Sequence, residues 1–332
     1  MKRKYFLIAL SAIVTLLVLS ENIWAKPILI RLSNQLPPAQ SVSRGMEFFK
    51  QLVEERTGGK VKVEVYHSSQ LYKDKEIFPA IQSGSIEAGL IITGQISGTD
   101  PLFYLFDQPF LVANYNVAIR ACKGKVGEVL SQHLEKMGIK VLCWPQQGFM
   151  QVANIKHPIR TPKDFEGLKL RVATGGEVRI IQFLGGAAVV IPAGDAYTAL
   201  SRGTVDGVTT SIASFYSRKW AEVAKYLTIY NITLIGFPLC IHKKFWETIP
   251  KDLQGIISTA AMEAEAVATK GNMEGDEKQI ILFKEKGVTI TYLTDENRNK
   301  FLEKVRPARE EFLKTTGKEG KILIEYIQSI PK

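Results

Sequence analysis

Residues 166–173 read EGLKLRVA, and within them sits the side chain best suited to chemistry in this chain. Leu168, Leu170 and Val172 alternate with Lys169 and Arg171, the period of a strand with one face buried. An arginine near the end of such a strand has two readings. One is a solvated basic face. The other is a clamp for an anion, because a planar guanidinium meets a carboxylate through two parallel N–H donors, which lysine cannot do. Gly175-Gly176 follows and opens a helix, whose first N–H groups also favour anions, although Gly-Gly is equally an ordinary turn. Alternation alone leaves both readings open.

Catalytic patterns are scarce. The chain has no GxSxG, HExxH, GxGxxG or P-loop. His67, His133, His157 and His242 have no partner at metal-ligand spacing, and no Asp/Glu pair is placed for acid–base work. No metal, no cofactor and no enzymatic activity are therefore expected. Cys122, Cys143 and Cys240 are odd in number and lack a CxxC, so they read as buried free thiols, with one disulfide pair left open.

Elements able to position such an arginine alternate along the chain. Ile28–Asn34 reads as a strand, 42–56 as an amphipathic helix stopped at Gly58-Gly59, and Val61, Val63 and Val65 as a second strand. A helix over 73–83 and a strand over 87–92 complete a β-α-β-α-β series, the start of a doubly wound sheet whose ligands sit at the carboxyl ends of strands. A long helix over 116–137 and a strand over 139–144 follow. After the turn at 158–162, with Pro162 opening a short helix, a second such series runs from the strand of Arg171 through 177–184, 188–191, 195–201 and 205–209. A helix over 212–225 and an apolar stretch over 234–241 come next. The pattern over 252–286 predicts a helix of about 50 Å, at 1.5 Å per residue, long enough to brace two domains. A strand over 288–292 and a helical tail close the chain. The class is α/β, with two domains, several chain crossings and a cleft.

The 332 residues carry a formal charge of +10, of which the first 25 residues hold +2, leaving +8. The basic residues are spread among acids, without a tail or motif for nucleic acid, so a soluble surface attractive to small anions is expected and no nucleic-acid partner. Lys2-Arg3-Lys4, the apolar run Phe6–Leu19 and Ala25 read as a signal peptide over residues 1–25, with export to the periplasm, the alternative being an uncleaved N-terminal anchor.

Several stretches then fall in the order of a known family. They are FFKQLVEERTGGKV (48–61), SSQL (68–71), QSGSIE (82–87) and DQPFL (107–111). The most specific are TPKDFEGLKLRV (161–172) and YTALSRGTVDG (197–207). Their ordered sum resembles the DctP-type solute-binding proteins of tripartite ATP-independent periplasmic (TRAP) transporters. The resemblance implies a two-domain periplasmic binding fold of the type II kind, with hinge strands and a long bracing helix. Domain I would hold residues 26–147 and about 237–276, and domain II residues 148–236 and about 277–332. It implies capture of a small organic acid in the interdomain cleft and delivery to the permease membrane subunits.

In the family the arginine of the GLKxRV stretch clamps the ligand carboxylate, so that role is carried to Arg171. Asn34, at the end of the first strand, matches a common polar contact. Thr209 and Thr210 stand where the family often has Glu-Asn, and Tyr197 lies in the matching helix, where it either walls the cleft or packs the core. Where the family often reads Gly-Phe-Arg this chain has Gly148-Phe149-Met150, so a second ligand-binding arginine is replaced by an apolar residue. The expected ligand is a monocarboxylate with an apolar or aromatic part, contacted by Met150, Phe149 and Phe215, with Tyr216 and Phe237 as further candidates or core residues. Two other roles fit the same chain: a ligand-sensing partner of a membrane receptor, and an exported enzyme whose site has no local motif.

Overall fold

The computed structural model describes residues 26–332, so the expected signal peptide lies outside the described residues. In chain order the elements begin with β1 (Ile28–Ser33), α1 (Ser41–Arg56), β2 (Val61–Tyr66), α2 (Ile77–Gln82), β3 (Ala88–Leu90) and α3 (Thr93–Ile96). Next are α4 (Tyr115–Lys123), α5 (Lys125–Lys136), β4 (Ile139–Cys143), β5 (Gln146–Phe149), β6 (Gln151–Asn154) and β7 (Lys169–Val172). Then come α6 (Gly175–Phe183), β8 (Ala187–Val190), α7 (Ala196–Ser201), β9 (Gly207–Thr210), α8 (Ile212–Ser217) and β10 (Tyr226–Ile229). The last are β11 (Leu234–Gly236), β12 (Leu239–His242), α9 (Lys243–Thr248), α10 (Lys251–Glu285), β13 (Thr289–Tyr292) and α11 (Asp295–Ser329). Gly124, with non-helical backbone, splits the helix expected over 116–137 into α4 and α5.

Two sheets define two lobes. The first runs β2-β1-β3-β12-β4, with β1 parallel to β2 and β3 and β12 antiparallel to β3 and β4. The second runs β13-β10-β6-β9-β7-β8. Between them β5 pairs antiparallel with β11. Both are crossing strands: β5 lies in sequence between a first-lobe and a second-lobe strand, and β11 returns the chain to the first lobe.

Helices cover both faces of each sheet, as parallel strands require. On α1, Val42, Met46, Phe49 and Val53 bury one helical face in the first-lobe core with Val61, Ala264 and Ala268. Gly45 lets α1 cross α10 closely, since a Cβ there would stand 2.8 Å from that of Ala268. The 35 residues of α10 brace both lobes: Leu253 to Ala268 pack in the first-lobe core, and Phe283 packs with Phe215 and Trp220 in the second.

A second brace was not expected. Phe301 and Val305 of α11 lie in the second-lobe core with Phe165 and Leu170, whereas Phe312, Leu323, Ile324 and Ile327 lie in the first-lobe core. Residues 277–332 therefore do not all belong with the second lobe. Within the first-lobe part, between Phe312 and Leu323, Gly317 leaves the helical region at φ 57°. Cys122, Cys143 and Cys240 are buried and free.

Candidate functional site

β7 lies between β8 and β9, both parallel to it, so both of its edges are paired inside the sheet. Burial decides the alternation of the sequence: Lys169, at the strand start, is exposed, whereas Arg171 is only 2% exposed. Two strand-end carbonyls hold its guanidinium. Nε donates to Ile191 O at 2.7 Å, just beyond β8, and Nη1 to Thr209 O at 3.4 Å on β9. Nη2 is buried and has no hydrogen-bond partner among the described residues.

A cavity of about 40 Å³ opens beside it between the lobes. Space for one water needs about 10–15 Å³ on this measure, so the cavity suits a compact solute. From the second lobe come Arg171, Glu177, Thr209, Thr210, Ser211 and Arg218; from the first come Gln35, Leu36, Asp74 and Ile92. Gln147, Ile235 and Phe237 enter from the crossing segments.

Arg218 is the residue that sequence reasoning missed. It follows α8, in the part of the stretch read as a helix over 212–225 that lies beyond the observed helix, and nothing local marks it as a cleft residue. Its Nη2 donates to Gln35 O at 2.8 Å across the cleft, and its buried Nε has no partner among the described residues. The Trp220 ring lies 5.6 Å from the guanidinium carbon of Arg171 and 5.9 Å from that of Arg218. Burial pulls the Arg218 pKa down to about 10, with Asp74 opposing and Arg171 adding to the fall. The pKa of Arg171 is also lowered by burial, against the attraction of Glu177 and Asp74.

Two carboxyl groups balance these cations. Asp74 lies 3.8 Å from Arg171 Nη2. Glu177 sits in the first turn of α6, where its Oε2 accepts from Ala173 N–H at 3.2 Å while its own N–H donates to Thr174 Oγ1. Burial raises the Glu177 pKa, against the bond to Thr209 Oγ1 at 2.5 Å and the attraction of Arg171.

The other expected contacts fall elsewhere. Asn34 spends its side chain on Ser43, His67 and the Leu36 N–H, fixing the turn after β1. Met150 is packed in the second-lobe core with Val152, Ile159 and Ile232. Phe149 stands edge-on to Tyr115 at 5.5 Å and Phe215 edge-on to Phe283 at 4.9 Å, so both are core residues rather than cleft walls. Tyr197 is exposed and donates to Glu222, and Tyr216 packs on Phe283. The absent second arginine of the Gly-Phe-Arg position thus does not leave Arg171 alone, because Arg218 brings a guanidinium from another element. Thr209 and Thr210 do line the cavity, with the Thr209 hydroxyl turned to Glu177. A larger cavity of about 230 Å³ lies behind α6, between Tyr104, Ile180 and Phe312, but its charged pair Arg179–Glu311 is already joined.

The lobes touch across the cleft. Gln147 Nε2 donates to Gln40 Oε1 at 2.6 Å and Ser211 Oγ at 3.1 Å, and Gln95 Nε2 to Ala173 O at 2.8 Å.

Known proteins share this fold. Residues 32–316 match the model of "Bacterial extracellular solute-binding protein, family 7". The C4-dicarboxylate-binding periplasmic protein DctP of Rhodobacter capsulatus is 31% identical over 309 residues, 91% of this chain and 92% of that one. A TRAP solute-binding protein of Sulfurospirillum deleyianum with bound succinate superposes with a TM-score of 0.86 at 28% identity, over 92% of this chain and 100% of that one. The sugar acid binding protein DctPAm of Advenella mimigardefordensis, in complex with galactonate, gives 0.88 at 29% identity, over 91% and 98%. The chain therefore belongs to family 7 of the bacterial extracellular solute-binding proteins, the DctP-type receptors of TRAP transporters.

Proposed function

We propose that this protein captures a compact organic acid with one carboxylate and a small apolar part, and delivers it to the membrane subunits of a TRAP permease after export through its N-terminal segment. The observation that carries this reading is the buried Arg171 Nη2, unpartnered among the described residues and facing the interlobe cavity. A buried cationic donor without an acceptor is costly, and a ligand carboxylate meets both its charge and its hydrogen bond. The small cavity, in which Asp74 already stands 3.8 Å from Arg171 Nη2, supports a single carboxylate. Leu36, Ile92, Ile235 and Phe237 give the apolar part a wall. Because the solute touches both lobes, binding and hinge closure act together.

Calorimetric titration of ligand-stripped protein with a panel of organic acids, beside an Arg171→Ala variant, tests the reading. Removing one partner of a buried charge pair costs about 2–5 kcal/mol, roughly 30- to several thousand-fold in affinity. Arg171→Lys should recover only part of the loss, since it lacks the fork. Affinity of Arg171→Ala within about threefold of wild type, at an unchanged melting temperature, would remove the clamp.

A further inference from the structure

We propose that Asp74 sets the specificity of the cleft: a first-lobe carboxylate that receives a hydroxyl of the bound acid and turns away acids with a second carboxylate. The proposal rests on the one-carboxylate reading and deepens it. Asp74 stands before α2 in the first lobe, 4% exposed, yet its partners lie in the second. Its Oδ2 accepts the Ala193 N–H at 3.0 Å, and the neighbouring Lys73 reaches Asp195 at 3.3 Å over the same seam. At 3.8 Å the approach of Asp74 to Arg171 Nη2 is too long for a hydrogen bond, so it compensates charge without occupying the donor. Oδ1 is buried and has no partner among the described residues, while an ionised carboxylate offers about four acceptor sites over its two oxygens.

The unpaired atoms around the cavity divide by type. Donors remain on the second-lobe side, at Arg171 Nη2 and Arg218 Nε. Acceptors remain opposite, at Asp74 Oδ1 and Gln147 Oε1, with Gln35 offering both kinds. An acid that fills both sets carries its carboxylate toward the arginines and a hydrogen-bond donor toward Asp74. A hydroxyl supplies that donor without adding a second charge to the solute. A second carboxylate in so small a cavity would come against Asp74, like charge against like charge with little water between them. The ligand class is therefore a short hydroxy monocarboxylate.

The test is calorimetric titration of ligand-stripped wild type and Asp74→Asn with two matched series: propionate, lactate and malonate, then butyrate, 2-hydroxybutyrate and succinate. Wild type should prefer each hydroxy acid at least tenfold over its unsubstituted parent and over the dicarboxylate. In Asp74→Asn, dicarboxylate affinity should rise at least tenfold, and the preference for each hydroxy acid over its parent acid should fall at least tenfold. Wild type that binds the parent acids but shows no hydroxyl preference, or takes dicarboxylates equally well, overturns the role of Asp74 even if the variant fails to fold. So does a folded variant whose dicarboxylate affinity is unchanged. Wild type that binds no monocarboxylate overturns the one-carboxylate reading itself, and this assignment with it.

Discussion

Arg171 is tied to two backbone carbonyls through Nε and Nη1, which fixes the direction of Nη2 before any solute arrives. Preorganisation of this kind lowers the ordering cost of binding. Met150 shows the opposite case. Its side chain is enclosed by apolar neighbours of the second lobe, so Met150→Arg would place a charge in a core rather than a second clamp in the cleft. An unpaired buried charge costs several kcal/mol. The variant is expected to melt at least 10 °C below wild type or not to fold; a variant with wild-type melting and tighter dicarboxylate binding would restore Met150 to the site. The residue scale was partly legible in the sequence. Arg171 stands in a strand with strict alternation and a specific flanking motif, and both survive in one dimension. Asp74 and Arg218 fall within stretches read as helices over 73–83 and 212–225 but lie outside the helices that form; 144 positions apart, they meet only when the lobes come together, so no local pattern marks them as a pair. Phe149 and Phe215 were open to either reading, because an aromatic residue packs a core and walls a pocket with the same chemistry.

Three elements meet at the crossing strands, where α10, α4 and β5 converge. Tyr115 of α4 donates to Asp276 Oδ2 of α10 at 2.8 Å and sets its ring edge-on to Phe149 of β5. Burial pushes the Asp276 carboxyl up to about 7, against the hydrogen bond from Tyr115. Between the ordinary carboxylate range and that value the folded chain binds a proton that the unfolded chain has released. The contribution is therefore complete at low pH and is lost as pH rises toward 7, with an upper bound of about 4 kcal/mol at 1.36 kcal/mol per unit. Asp276→Asn keeps an acceptor for Tyr115 and no longer titrates. Urea unfolding from pH 4.5 to 8 should show wild type losing stability relative to the variant as pH rises; parallel profiles would mean that Asp276 titrates as an ordinary carboxyl. At this scale long, strongly patterned elements were legible, including α10 to within a residue at each end. Short β5 and β6, QQGF and QVAN, were not, because buried polar residues conceal their period. The second brace escaped because Pro307 and Gly317 interrupt α11, and its two apolar faces serve different lobes.

Over the whole molecule, two strands and two long helices pass between the lobes, so relative motion has to be a rotation about those crossings rather than a free separation. The seam that such a rotation opens and closes includes Gly94 of α3 against Thr174, the N-cap of α6. A Cβ at Gly94 would stand 2.7 Å from Thr174 Cγ2 and 2.9 Å from its Oγ1. Thr174 cannot easily yield, because it is stiff at χ1 and its hydroxyl accepts the Glu177 N–H at 3.3 Å. That bond also steadies the helix turn carrying Glu177 beside the cavity. Gly94→Ala adds one methyl at a surface shared by the lobes and alters the interior of neither. Overpacking of this kind costs about 1–3 kcal/mol. If solute binding is coupled to closure, that cost appears in the affinity, as a loss of roughly 5- to 100-fold at 1.4 kcal/mol per decade. The solute-free protein, whose lobes can part at the seam, should melt within about 2 °C of wild type. Titration and melting of the same sample separate the two effects. Equal affinity would place the closing motion away from this seam, and a large fall in solute-free melting would mean that the lobes stay in contact without a solute.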